Sequence, residues 1–195
     1  MVHWKDSLAA LIPYYDRDGS NATLVYRTGG QVEEDRRTVK WNLKRLARHF
    51  SIDLEAVRKN HGERLGTFQG VPLPFSAALV LVPLKTRQAI GRNDGCCGYF
   101  NPAAICKYYP DAEKSTVIVL DGGQQISCLF SMRTVHKRLK ASEIVLESYR
   151  RQLLPGTAYI NAPGSEFHSK PHSMEPLFLA LIRELLTLAD GANKR

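Results

Sequence analysis

Ala78-Leu79-Val80-Leu81-Val82, an unbroken apolar run closed by Pro83, opens the stretch whose reading decides the fold. A polar segment at 84–95 follows and carries Lys85, Arg87 and Arg92. Three strand-like pieces come next, at 99–109, 115–120 and 124–130. Pro110-Asp111 separates the first pair and Asp121-Gly122-Gly123 the second, which is turn chemistry. Ser131 then opens a short basic helix predicted to end at Lys140. The pattern is an antiparallel meander over 99–130 followed by a helix, with cations in the connections. Such an arrangement predicts a surface suited to a polyanion.

Upstream, Leu8, Leu11, Ile12 and Tyr15 recur at helical spacing and predict a short helix before the turn at Asp16-Arg17-Asp18-Gly19. Residues 22–26 read as a strand and Thr28-Gly29-Gly30 as a turn. Val39, Leu43, Leu46 and Phe50 place an amphipathic helix at 38–50, with Glu33, Glu34 and Asp35 at its N-terminal side, where the helix dipole favours acids. Arg36, Arg37, Lys40, Lys44, Arg45 and Arg48 cover much of its remaining circumference. That basic face is either solvated or in contact with phosphates. Ser51 is the predicted cap of a second helix running to His61, with Gly62 as its stop. The connector at 66–74 is turn-rich yet apolar enough to pack.

Downstream, a helix is predicted over 143–154, with Ile144, Leu146 and Tyr149 on its buried side and Pro155-Gly156 ending it. The last helix, at about 174–189, presents Leu177, Phe178, Leu181, Ile182, Leu185 and Leu188 as a broad apolar stripe. It belongs to a core or to a dimer interface.

A chain of 195 residues supports one sizeable core, and the whole of 1–195 is expected to form a single domain. Composition is that of a globular protein, and the net charge is +8. Contact with nucleic acid or an anionic surface suits that balance. No apolar run is long enough to cross a bilayer, so no membrane partner is expected. The first residues lack the pattern of a secretory signal. Adjacent Cys96 and Cys97, with Cys106 and Cys128, make a poor disulfide framework and fit reduced thiols in a cytoplasmic protein.

Catalytic patterns are weak: no nucleophile elbow, phosphate loop or zinc-protease motif occurs. His168 and His172 with Cys96 and Cys97 match no zinc-site spacing, so neither metal nor cofactor is expected. The cations speak more clearly. Lys85, Arg87, Arg92 and Asn93 lie in one connection, and Arg133, Lys137, Arg138 and Lys140 lie on the following helix. Val135 and Leu139 are expected to fasten that helix to the sheet and turn its cations outward. Ser131 as its cap would leave first-turn amides open to a phosphate. Arg36, Arg37, Lys40 and Lys44 form a secondary candidate set.

One family shares these features. Arg64-Leu65-Gly66-Thr67, Val71-Pro72-Leu73-Pro74, Leu79-Val80-Leu81-Val82-Pro83, Cys97-Gly98-Tyr99, Ile105, Val117 to Leu120, Asp121-Gly122, the helix at 131–139 and Ile182-Arg183-Glu184-Leu185 resemble the ComK-type competence transcription factors of Bacillus-like bacteria. The hairpin portion is also similar to LytTR-type DNA-binding domains, through Tyr99-Phe100-Asn101, Ile105 and the Asp-Gly turn before a basic helix. Tyr99 stands where the ComK-type family usually has tryptophan. The His-Arg-Ser of a LytTR domain is absent around Gly95-Cys96-Cys97. The resemblance implies an activator of transcription that binds paired AT-rich boxes of double-stranded DNA from the minor groove. It implies a cooperating homo-oligomer and leaves room for a regulatory adaptor protein. Arg87 and Arg92 would enter the groove, while Lys85, Lys137, Arg138 and Lys140 would meet flanking phosphates.

The expected fold is therefore α+β, a largely antiparallel sheet with flanking helices, and the expected function is sequence-selective DNA binding without catalysis. Two alternatives stand beside it. One is an RNA-binding module stacking bases on Tyr99, Phe100, Tyr108 and Tyr109. The other is a thiol- or metal-dependent enzyme at Cys96 and Cys97.

Overall fold

A computed structural model describes residues 7–92, 94–111 and 114–153. The predicted C-terminal helix at 174–189 and the histidines of the loop before it lie outside them. The described residues form an α+β fold, with three α-helices, a six-stranded antiparallel sheet and a three-stranded antiparallel sheet.

The large sheet is built from β1 (Leu8–Tyr15), β2 (Asn21–Arg27), β3 (Val32–Asp35), β4 (Leu73–Pro74), β5 (Val80–Lys85) and β6 (Cys97–Phe100), in the order β3-β2-β1-β6-β5-β4. Its strands alternate between two cores. Leu11, Leu81 and Tyr99 face one way, against Leu43, Leu46 and Phe75; Ile12, Val82 and Phe100 face the other. This alternation is the period of a strand buried on both faces. The first face is covered by α1 (Val39–His49) and α2 (Leu54–Leu65). The second is covered by the meander of β7 (Ile105–Pro110), β8 (Thr116–Leu120) and β9 (Gln125–Cys128), together with α3 (Met132–Leu153). Three layers result.

Several expectations are corrected. Residues 8–15 form a strand, because Leu8 to Ile12 is buried on both sides, and the helical spacing of Leu8, Leu11, Ile12 and Tyr15 sits in a continuous apolar run that a strand fits as well. Pro13 lies beyond the two residues, Ala10 and Leu11, that pair with β6, so its missing N–H breaks no rung on that side. The acids Glu33 to Asp35 belong to edge strand β3, and Thr38 caps α1 through Trp41 N. Asp53, whose carboxylate accepts from the amides of Glu55 and Ala56, caps α2 in place of Ser51. That helix passes through Gly62, where the Phe68 ring lies 2.9 Å from the position of a Cβ, and ends at Gly66 with φ of 63°.

The expected strand over 99–109 is two strands in two sheets. Asn101 accepts from Ala103 N at 3.1 Å, Pro102 starts a single 3-10 turn, and the chain leaves the large sheet there. The meander proper is thus β7-β8-β9. The two helices expected at 131–140 and 143–154 are one, since nothing at Ala141-Ser142 breaks the backbone ladder. The Ser142 hydroxyl turns back to the Leu139 carbonyl at 2.6 Å. Val145 takes the buried place on this helix and Ile144 is exposed.

The meander is docked to the large sheet by two turns. A Cβ on Gly122 would fall 2.2 Å from the Gly30 Cα, so glycine is required for the close approach. Gln124 Nε2 donates to the Gly30 carbonyl at this joint. Helix α3 then runs back along β5 in the opposite direction. Leu129 N donates to Lys85 O at 2.7 Å, Arg138 to Pro83 O at 2.7 Å, and Arg150 to Ala77 O at 2.8 Å.

Candidate nucleic-acid interface

Helix α3 exposes one face because Val135, at 0% exposure, and Leu139 hold its other face in the core. That geometry turns Arg133, His136, Lys137, Arg138 and Lys140 toward a groove of about 890 Å³, whose opposite wall is the connector at 65–70. Among the described residues no carboxylate lines it. The connector contributes Thr67 and Gln69, polar groups able to bond phosphate or base edges.

Arg138 is the fixed member. Its guanidinium lies over the Phe130 ring at 4.4 Å and donates to the Pro83 carbonyl. Gly70, at φ of 70°, leaves the room it needs, since a Cβ there would lie 2.3 Å from a guanidinium nitrogen. Arg133 and Lys137 are exposed and make no ion pair among the described residues. Lys140 is paired with Glu143 at 3.0 Å, an exposed i,i+3 contact that contributes little. His136 shares a 2.7 Å hydrogen bond with the Tyr108 hydroxyl. The Ser131 hydroxyl lies 3.1 Å from that of Thr134, and its carbonyl accepts from the Thr134 and Val135 amides.

Lys85 ends β5 beside the approach to α3, through the bond its carbonyl accepts from Leu129 N. Arg87 is not a free cation. Its guanidinium stacks on the Tyr15 ring at 3.9 Å, with Nε on the Gly95 carbonyl at 2.8 Å and a second nitrogen on Asn21 Oδ1. It clamps the 86–96 loop, leaving Arg92 as the exposed cation there. Asn93 lies outside the described residues. The carboxylate that completes the clamp, Asp94, accepts from Tyr15 Oη, Asn21 Nδ2 and Gly91 N, and those bonds hold it below the ordinary carboxylate value.

The secondary set is placed elsewhere. Lys40 and Lys44 are exposed on α1, and Arg36 and Arg37 precede it, beside the acids of β3. Arg37 lies over the Trp41 ring at 4.0 Å. Helices α1 and α3 cover opposite faces of the large sheet, so these cations do not join the α3 groove.

The aromatic groups of the RNA alternative are divided by burial. Phe100 is 0% exposed, and Tyr99 packs in the α1-side core, where burial pushes its hydroxyl up. At the thiol pair, Cys96 and Cys97 are reduced with sulfurs 3.9 Å apart. Burial, and next the neighbouring Cys96, push the Cys97 thiol up to about 11, which keeps it neutral. Among the described residues no cluster of three metal-binding groups occurs, and no helix is long and apolar enough to cross a membrane.

Sequence reasoning missed the second wall of the groove and the Tyr15-Asn21-Asp94 clamp. The glycines at 66 and 70, bracketing Thr67 and Gln69, were the only local sign of the former. The clamp joins residues 73 and 79 positions apart and left no local sign. No family model, curated protein or solved structure matches the chain.

Proposed function

We propose that the protein binds double-stranded DNA with its α3 groove and acts as a transcription activator. The observation that carries this reading is the gathering of five cationic or titratable side chains in a groove that no carboxylate lines among the described residues, with Glu143 paired to Lys140 beyond that lining. A groove of one sign focuses its field on a polyanion, and released counterions supply the affinity. Arg133 and Lys137 meet phosphates, Arg138 is pre-aimed by Phe130 and Pro83, and Lys85 and Arg92 extend the contact toward the loop. The preference for AT-rich boxes, minor-groove entry and homo-oligomeric binding follow the ComK-type resemblance.

Binding to AT-box and GC-rich duplexes across a salt series tests the proposal. The expected result is tighter binding to the AT-box duplex and a steep fall of affinity with salt. Equal, salt-insensitive affinity for both would reject it.

One observation favours single-stranded nucleic acid as a second reading. Phe68, on the connector that walls the groove, is 70% exposed and rests against Gly62. An exposed ring is a stacking platform for an unpaired base, and Phe68 stands in sequence between Thr67 and Gln69, which line the groove. Competition by single-stranded RNA against duplex DNA separates the two.

A further inference from the structure

We infer that Ile90 is a wedge that a rigid loop presents to DNA, to be inserted between neighbouring base pairs. This rests on the duplex-binding reading above.

The loop joins β5 to β6. At its base Thr86 N and Arg87 N both donate to the Cys96 carbonyl, at 2.9 and 3.4 Å, and Asp94 N closes a turn on Gly91 O at 3.1 Å. The Asp94 carboxylate gathers Tyr15 Oη at 2.6 Å, Asn21 Nδ2 at 2.6 Å and Gly91 N at 2.7 Å. Tyr15 Oη in turn accepts the amide of Ile90 itself at 2.9 Å. The backbone of Ile90 is therefore tied to β1, while its side chain is 84% exposed.

A lone exposed aliphatic group is ordinary on a protein surface. One whose backbone is anchored by a buttressed network is different, because a group already held in place loses little freedom on insertion. Proteins that open the minor groove use such aliphatic wedges to unstack a base step, with cations on the phosphates either side. Arg92, two residues on, is exposed, and the loop leaves β5 at Lys85, whose carbonyl accepts from Leu129 N just ahead of α3, the helix that carries Arg133 and Lys137. A membrane surface is a poorer occupant. Gln88, Ala89, Gly91 and Arg92 surround Ile90 in sequence and supply no second large apolar group.

The test places 2-aminopurine at successive steps across an AT-box duplex and reads its fluorescence with the full-length protein bound. Insertion predicts a rise at one step, lost in Ile90→Ala and kept in Ile90→Leu, with the salt slope unchanged in both. Matched thermal melting of the variants secures their fold. A rise that survives in Ile90→Ala, or salt-sensitive duplex binding with no responding step, overturns the wedge and leaves the DNA reading standing. No duplex binding at all removes both. Ile90-dependent binding to anionic phosphatidylserine vesicles in place of duplex assigns the residue to a lipid surface and overturns the wedge.

Discussion

Tyr15 donates its hydroxyl to Asp94 at 2.6 Å across 79 positions of sequence, tying the end of β1 to the far side of the basic loop. The bond makes the loop part of the sheet. It also links the loop's rigidity to the charge on one carboxylate.

That link has a pH signature. The bonds to Asp94 lower its folded-state value below the ordinary 3.8, first through Tyr15 and then through the Gly91 amide. A carboxylate depressed on folding contributes stability that is fully present above its unfolded value and lost as pH falls through the folded one. Asp94→Asn is expected to flatten the acid limb of the stability curve below about pH 4, where the wild type keeps declining. Thermal melting of both proteins from pH 2 to 7 checks it, and identical acid limbs would contradict the assignment.

The groove cations predict a change in slope. Each phosphate neutralised on duplex DNA contributes about 0.9 to the fall of log affinity with log salt. Arg133→Gln with Lys137→Gln is expected to lower the slope by about 1.8. Lys40→Gln with Lys44→Gln, on the opposite face of the sheet, is expected to leave it unchanged. Fluorescence anisotropy between low and physiological salt reads both pairs.

The glycine joint predicts a stability difference. Gly122→Ala drives a methyl into the Gly30 backbone, where neither partner is a flexible side chain. A loss of about 1–3 kcal/mol is expected. Gly95→Ala meets nothing within 4 Å and is expected to be close to neutral. Urea denaturation of the two variants makes the comparison.

Thiol chemistry should be ordered by burial. With its value at about 11, Cys97 is ionised at pH 7 in only about one molecule in ten thousand. Cys106 is exposed and Cys128 buried. Alkylation followed by mass spectrometry is expected to label Cys106 first, and Cys97 and Cys128 only on unfolding. Early labelling of Cys97 would revive a nucleophilic role for it.

The parts of the fold legible in the sequence were those with a local cause. The periodicity of Val39, Leu43 and Leu46 marked α1, and Asp121-Gly122-Gly123 marked the turn between β8 and β9. The same holds for the outward cations of α3, since Val135 and Leu139 fixed its inner face. What the sequence hid was set by tertiary burial. Leu8 to Ile12 is packed on both faces, so helix and strand readings matched equally well. Residues 99–109 read as one strand, and only the second sheet gives the chain a reason to leave the first at Asn101-Pro102. Among the candidate site residues, type and charge were readable but employment was not. Arg87 and Arg92 look alike in the sequence, yet one is stacked on Tyr15 and the other is exposed.

Arg138 fastens the helix to β5 through Pro83 and also lines the groove. A genetic screen for lost binding will therefore recover this codon for the wrong reason, harvesting chains that never accumulate. Only neighbours without structural employment, such as Lys137, can be exchanged during adaptation to a new ligand while the scaffold stays intact.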